Sequence, residues 1–303
     1  MIQSLDAAMR DACRAVGIVP PPSDPVPGRW VRTNTRERNG KGDASVLLFD
    51  DERGGIAWNW QTQQQQVFRL GRDVPAPRSP KRDPEKARRE KEDARAVLDT
   101  CARIVYACRH DVHPYLVHKG FPTELGLVLD DVRSLLPSGP LGEAMGHAMP
   151  DGGPFLIVPG WIGRGLTTVQ VIAADGTKRN LKYARIGGAS HRIATGPRAV
   201  VCEGIATALS VRAALRLLSI PATVLCAFAA NNVAAVAADT GAFICADHDK
   251  PINALAGLGT GEFYARQSGC QWSMPPEMGD YNDWHQREGL RAVALHLREV
   301  LMG

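Results

Sequence analysis

The sequence between residues 198 and 249 decides how the rest of the chain is interpreted. It begins with RAVVCEG at residues 198–204 and ends with AFICADHD at residues 242–249. In both segments a short apolar, partly β-branched run stops at carboxylates, which is typical of a buried parallel strand whose end opens onto a site. Between them, apolar residues at helical spacing begin at Ile205, and Pro221 ends the helix. The pattern predicts a strand, a helix and a second strand, with acidic residues at the strand ends.

Three of these acidic residues are expected at one edge of an open α/β sheet. Asp247 and Asp249 are two residues apart, and Glu203 ends the neighbouring strand. Like charges repel, so such a cluster needs a cation. Mg²⁺ binds a few carboxylates, keeps waters and takes phosphate oxygens as further ligands, and a pair of ions is common in nucleotidyl transfer. We therefore predict that Glu203, Asp247 and Asp249 are catalytic residues and ligands of Mg²⁺, with Mn²⁺ as an alternative.

Five motifs carry a resemblance to a known family. They are VCEGIATALS at residues 201–210, AANN at 229–232, ADHD at 246–249, GDYNDW at 279–284 and, upstream, HPYLVHKG at 113–120. Together they resemble the Toprim-domain DNA primases of phages and of conjugative or integrative plasmids. The resemblance covers roughly residues 95–303. No Gly-x4-Gly-Lys-Ser/Thr loop occurs in the sequence, so the helicase often fused to such primases is expected to be a separate partner.

The resemblance implies a fold, an activity and further site residues. The fold would be a Toprim parallel sheet flanked by helices, preceded by a small basic antiparallel β subdomain and an N-terminal region rich in strands. The activity would be synthesis of short RNA primers from NTPs on single-stranded DNA. Asp280 and Asp283 would complete the metal-binding cluster. Candidate nucleotide or template contacts are Lys178, Lys182, Arg185 and Asn231, the last of which, with Asn232, is also predicted to cap a short helix.

Composition and charge agree with a cytoplasmic, nucleic-acid-binding protein. The chain has 303 residues, 44% of them apolar and 22% charged. No apolar run approaches the about 18 residues that span a bilayer, and the first residues lack a signal-peptide pattern, so we expect no membrane partner. Residues 154–199 hold seven bases and one acid, whereas residues 200–303 hold ten acids and seven bases. A basic segment before an acidic one suits a polyanionic template. The seven cysteines form no C-x2-C pair and are interpreted as reduced core thiols.

Composition also predicts four regions. Residues 1–75 form a β-rich region, 76–153 a charged linker and helical region, 154–199 the basic β subdomain, and 200–303 the catalytic domain. Residues 72–95 contain nine bases and six acids and are interpreted as a linker that opens into a solvated helix after Pro84. Cys108, His110 and His113 lack a fourth ligand with the spacing of a zinc site.

The aromatic residues of the first region have two interpretations. Trp30, Trp58, Trp60 and Phe68, with nearby basic residues, could form a surface that stacks bases and contacts phosphates of a single strand. Alternatively they form the core of a small β domain. The basic residues concerned are Arg29, Arg32, Arg36, Arg38 and Lys41.

Two other functions fit the same sequence. A Toprim nuclease would use the same acidic cluster to cut a strand, although a topoisomerase would also need a nucleophilic tyrosine, and the tyrosines carry no distinguishing context. A catalytically silent single-strand-binding replication accessory would need none of the three carboxylates.

Overall fold

The computed structural model describes residues 4–22, 25–37, 42–70 and 84–302. The chain separates into two compact units, Met1–Ala87 with Ile252–Gly257 and Arg88–Pro251 with Leu258–Gly303. Both helices and sheets are present, so the predicted mixed α/β class is confirmed, and the region boundaries at residues 75, 153 and 199 stay predictions. In the described ranges no helix is long and apolar enough to cross a membrane. Arg38, Lys41 and the linker at 72–83 lie outside the described residues.

The first unit is one helix against a four-stranded antiparallel meander. The helix is α1 (Leu5–Ala15), and the strands are β1 (Trp30–Thr33), β2 (Ala44–Leu48), β3 (Gly54–Asn59) and β4 (Gln65–Arg69), in the order β1-β2-β3-β4. Ser4 caps α1 by accepting the Ala7 N–H at 3.2 Å. Met9 and Cys13 of α1 pack with Val46, Ala57 and Phe68 to form the core of this unit.

The tryptophans lie on the opposite face of this sheet from that core. Side chains alternate along a strand, and the pairing of Trp30 with Leu47, and of Ser45 with Trp58, puts these residues on the side that α1 does not cover. Trp30 is 43% exposed, whereas Phe68 is 6% exposed. The core interpretation therefore holds for Phe68 and not for the tryptophans. We call Trp30, Arg32, Trp58 and Trp60 the tryptophan face.

The second unit contains an antiparallel sheet of five strands. Its order is β5 (Arg109–Val112), β6 (Leu125–Leu129), β7 (Phe155–Ile162), β8 (Gly165–Ile172) and β9 (Lys178–Asn180), with α3 (Pro114–His118) between β5 and β6 and α4 (Pro140–Gly146) between β6 and β7. The long α2 (Pro84–Ala107) begins at the predicted proline and packs Val97, Cys101 and Ile104 against the sheet. Two strands, β5 and β6, come from the segment predicted to be linker and helix. The sequence of β5, RHDV, is polar and mostly exposed, so it lacks the alternation of a strand.

The stretch at 198–249 lies within a five-stranded, mostly parallel sheet whose strands and helices extend from residue 191 to residue 302. Its elements are β10 (His191–Ala194), β11 (Arg198–Cys202), α5 (Ile205–Leu217), β12 (Ala222–Cys226), α6 (Ala230–Thr240), β13 (Phe243–Cys245), α7 (Thr260–Ser268), β14 (Trp272–Ser273), α8 (Tyr281–Glu288) and α9 (Leu290–Met302). The strand order is β10-β12-β11-β13-β14, in which β12, β11, β13 and β14 run parallel and β10 is antiparallel to β12.

Burial on both faces explains the unbroken apolar runs of this sheet. Val200 and Cys202 point to the core shared with α5, α8 and α9, while Val201 and Ile244 point to the core shared with α6. A strand covered on both sides has no polar face to alternate with. Five of the seven free cysteines are buried in these cores and in those of α1 and α2.

Candidate active site

The topology of the parallel sheet opens a crevice between β11 and β13. These strands are neighbours, with Cys202 opposite Cys245. After β11 the chain crosses to β12 on one side, whereas after β13 it moves to β14 on the other side. In open α/β sheets, ligands bind where strand order reverses in this way, beyond the carboxyl ends of the strands. Glu203 follows β11 directly and Asp247 lies two residues after β13, so both stand at that point.

Four carboxylates interact at this edge of the sheet. Burial raises the pKa of Glu203 to about 7, and the negative charges of Asp249 and Asp280 add to the increase. Burial likewise raises the pKa of Asp247 well above its usual range, with Glu203, Asp280 and Asp249 contributing. One oxygen of Asp247, Oδ1, is buried without a hydrogen-bond partner. We call Glu203, Asp247, Asp249 and Asp280 the acidic cluster.

The N-terminus of α7 packs directly onto the segment between the two aspartates. The Gly261 N–H donates to Asp249 Oδ2 at 2.9 Å, and the positive end of the helix dipole favours a carboxylate there. A side chain at Gly261 would collide with the backbone of Asp247, and one at Gly259 with the backbone of Asp249. Both glycines are required by this close approach.

A two-residue bridge brings Asp280 into the cluster. The backbones of His248 and Gly279 exchange two hydrogen bonds of 3.0 Å, and His248 Nδ1 donates to the Pro275 carbonyl at 2.9 Å. Asp280 then caps α8 by accepting the Asn282 and Asp283 N–H groups at 2.6 and 2.9 Å. Asp280 therefore has a structural role as well as a place in the cluster.

Asp283, the other aspartate predicted to be a metal ligand, is half exposed and has partners for both oxygens. Its Oδ2 accepts the Asp280 N–H at 3.2 Å and closes a capping box. Its Oδ1 lies 3.6 Å from Lys119 Nζ. The geometry accounts for Asp283 as the partner of a helix N-terminus and of Lys119.

Lys178 is the basic residue that reaches the acidic cluster. Its Nζ lies 5.3 Å from the centre of the Tyr115 ring and beside Gly204, the residue after Glu203. Burial lowers the pKa of Lys178, but the interactions with Tyr115 and Asp280 raise it by more, so the pKa lies above its ordinary value. In return, the charge of Lys178 lowers the pKa of both Glu203 and Asp247.

The other predicted contacts lie on the surface. Lys182 is exposed, with Nζ 5.1 Å from the ring centre of Tyr183, and the exposed Arg185 donates to the Gly187 carbonyl at 3.3 Å. Asn231 is exposed in the first turn of α6. The predicted cap is wrong, because α6 begins at Ala230 and its N-cap is Ala229, which makes no side-chain bond.

Asn232, which was predicted to share the helix cap with Asn231, is instead a structural residue of the site. It is 3% exposed. Its Oδ1 accepts the Gly188 N–H at 2.7 Å, and its Nδ2 donates to the carbonyls of Ala189 and Ala227 at 2.8 Å each. The loop after Arg185 is thereby fastened to the end of β12. The Gly188 N–H is therefore occupied by Asn232.

The HPYLVHKG motif forms α3 and supports α8. His113 is buried; Nδ1 accepts the Tyr115 N–H at 3.2 Å and Nε2 donates to the Pro154 carbonyl at 2.9 Å. Burial lowers the pKa of His113, so it is a neutral cap of α3 with both ring nitrogens in use. Asn282 Nδ2 donates to the Lys119 carbonyl at 2.9 Å and to Ser210 Oγ at 3.0 Å. The motif is thus tied to the helix that starts at Asp280.

The acidic cluster fits a hard divalent cation. Its donors are all oxygens, two of its members carry raised pKa values, and Asp247 Oδ1 has no partner. Across the described ranges, no three His, Cys, Asp or Glu side chains form a ready-made metal site. Mg²⁺ needs only one or two carboxylates when waters and phosphates supply the other ligands. Asp247 and Asp249, with Glu203, are the residues that would hold it.

The fold and the site define a mixed α/β protein with an acidic cluster at the carboxyl edge of a parallel sheet. No protein-family model matches the chain. Among solved structures, it is similar to the primase fragment of the bacteriophage T7 primase-helicase protein, at 14% sequence identity and a TM-score of 0.40, over 85% of this chain and 95% of that one. A likeness at this level does not assign a site or an activity.

Proposed function

We propose that the chain is a DNA primase of the Toprim type, which synthesises short RNA primers on single-stranded DNA from NTPs in phage or plasmid replication. One observation carries the proposal: Glu203, Asp247, Asp249 and Asp280 interact at the switch point of a parallel sheet, with Lys178 among them. A cluster of carboxylates with a single lysine suits phosphate transfer, because the carboxylates hold the metal that binds phosphates and the lysine offsets the substrate's charge.

In this reaction the 3′-oxygen of the growing primer attacks the α-phosphorus of the incoming NTP. A phosphorus–oxygen bond forms, the bond to pyrophosphate breaks, and the hydroxyl proton must be accepted. Glu203 is the residue suited to accept it, because it follows β11 at the same edge of the sheet as Asp247, and burial raises its pKa from the ordinary value. Bound Mg²⁺ or Mn²⁺ would supply positive charge on the phosphate oxygens next to Asp247 and Asp249.

The basic residues of the antiparallel sheet extend from the cluster. Lys178 lies beside Gly204 at the start of β9, and Lys182 and Arg185 follow on the exposed surface. Lys182 and Arg185 would bind phosphates of the template, while Lys178 would contact the triphosphate. Tyr183, 59% exposed beside Lys182, adds an aromatic ring on which a template base could stack. A replicative helicase on a separate chain would deliver the single strand.

The alternative of a tyrosine nucleophile is disfavoured for Tyr281, the tyrosine that follows Asp280 in the sequence. Tyr281 is fully buried and its hydroxyl hydrogen-bonds Ser273 Oγ at 2.6 Å. Burial raises the pKa of Tyr281 well above its usual range, which is the opposite of what an attacking phenolate needs. A metal-dependent nuclease without such a tyrosine is the remaining catalytic alternative.

The test incubates the protein with single-stranded DNA, labelled NTPs and Mg²⁺, and resolves the products on a gel. Short labelled oligomers are expected from the wild-type protein, and at least about 100-fold less from Glu203→Gln and Asp247→Asn. Asp239→Asn, an exposed aspartate of α6, is the matched control and should retain activity. Shortened DNA without oligomers would indicate the nuclease. Intact DNA with no product would indicate a binding protein.

A further inference from the structure

The tryptophan face of the first unit presents aromatic rings and cations without acidic residues. Trp58 and Trp60 stack with ring centres 4.4 Å apart, and Trp30 meets Trp58 edge-on at 5.8 Å. The guanidinium of Arg32 lies 5.6 Å from the centre of the Trp60 ring, and its Nη1 is fixed by the Gly42 carbonyl at 2.6 Å. The rings and the guanidinium are therefore held together as one surface.

This surface continues across the whole sheet. The register places Trp30, Leu47, Ile56 and Val67 in one row across the four strands. Val67 is 48% exposed, so the face is open at both edges. Arg69, on the edge strand, lies with its guanidinium 5.1 Å from the ring centre of Phe49. The four strands include two arginines and no Asp or Glu.

Stability does not require this face to be aromatic. The hydrophobic core of the unit lies on the other side, under α1, and a solvent-facing sheet surface is ordinarily polar. One exposed tryptophan, Trp30, backed by two half-buried ones and beside a fixed arginine, matches what a single-stranded nucleic acid needs, because bases stack on aromatic rings and phosphates bind guanidinium groups. A duplex offers no base faces, and an apolar protein partner would have no use for the cations.

We infer that the tryptophan face is a binding site for single-stranded nucleic acid, with Trp30 as the stacking residue and Arg32 as the phosphate contact. Trp30 has this role because it is the most exposed of the three rings, whereas Trp60 is engaged by Trp58, Arg32 and, through its Nε1, by Ser45 Oγ at 2.9 Å. The proposed site uses none of the residues of the acidic cluster, so it stands whether or not the second unit is catalytic.

The test measures the binding of labelled oligothymidylate by fluorescence anisotropy, in EDTA and without NTPs. Trp30→Ala is expected to weaken binding about 5- to 150-fold, the range for loss of one base–aromatic stack, and Trp30→Phe to retain most of it. Arg32→Ala should reduce the slope of log affinity against log salt by about 0.7, the value for one phosphate contact on a single strand. Arg14→Ala is the control with the same change in charge. Arg14 is on α1, which packs against the face of the sheet opposite the tryptophans, so this variant should leave binding unchanged.

Photo-crosslinking with 5-iodouracil-containing DNA and RNA is a second measurement. It locates the contact in the sequence even if another part of the chain also binds the nucleic acid tightly. Crosslinks within residues 30–60 are expected with either nucleic acid, and a stronger yield with one identifies the natural ligand. Crosslinks confined to residues 154–199 would overturn the inference, as would equal binding of duplex and single strand. It is also overturned if Trp30→Ala changes only the oligomeric state, since the face would then contact a second copy of the chain.

Discussion

Replacing Glu203 by Gln is expected to stabilise the protein at neutral and alkaline pH. In the folded state the Glu203 carboxylate is held among other negative charges at a partly buried position, and its pKa rises from 4.5 to about 7. Ionised Glu203 therefore costs free energy that glutamine, similar in shape and uncharged, does not. Residues that serve catalysis are often placed at such a cost to stability.

The pH dependence of this effect follows from the direction of the shift. Below about pH 4.5 Glu203 is protonated in both folded and unfolded chains, and the carboxyl group carries no penalty. As pH rises from 4.5 to 7 the unfolded state loses its proton first, so the wild-type free energy of unfolding falls. Each pKa unit corresponds to about 1.4 kcal/mol. Above pH 7 the loss of wild-type stability is complete and amounts to about 3 kcal/mol or less, because Glu203 and Asp247 titrate together and part of the effect belongs to Asp247.

Calorimetric unfolding of wild type and Glu203→Gln in EDTA, from pH 4.5 to 8.5, measures the difference. The variant should unfold up to about 6–12 °C higher at pH 8 and at the same temperature near pH 4.5. Glu277→Gln, which removes an exposed carboxylate paired with Arg287, is the control, and its difference should not grow with pH. A Glu203→Gln protein no more stable than wild type at pH 8, or equally stabilised at every pH, would refute the electrostatic account.

Three further predictions concern the groups around the acidic cluster. Lys178→Ala should raise the carboxyl pKa values of the cluster, because the ammonium now lowers them; unchanged titration in ¹³C NMR would contradict this. Asn232→Ala should lower the free energy of unfolding by about 2–4 kcal/mol through three lost buried hydrogen bonds, whereas Asn231→Ala should change it by less than about 0.5 kcal/mol in urea titrations. Gly261→Ala should displace the neighbouring aspartate backbone and weaken Mg²⁺ binding measured by calorimetry, whereas Gly187→Ala, with open space around the added methyl, should not.

The sequence predicted the strands of the second unit that are buried on both faces of their sheet, and the helices between them. The strands ending at Cys202 and Cys245 and the helices between them follow from long apolar runs, and they place Glu203 and Asp247 at one edge. The strand β5 was missed because an exposed edge strand has no apolar pattern. The two asparagines were not told apart, because which of them points inward depends on where α6 begins, and no capping side chain marks that position.

Asp280 shows why parts of the chain far apart in sequence are needed together. It arrives on a loop, and two ties hold that loop: His248 pairs with Gly279 on one side, and Asn282 bonds the Lys119 carbonyl on the other. The second tie depends on α3, which His113 caps. The HPYLVHKG motif therefore acts chiefly by positioning other residues of the site. It fixes the start of α8, whose N-cap is Asp280, and it puts the Tyr115 ring next to Lys178. A substitution at His113 should consequently alter the electrostatics of the acidic cluster without touching any of its members.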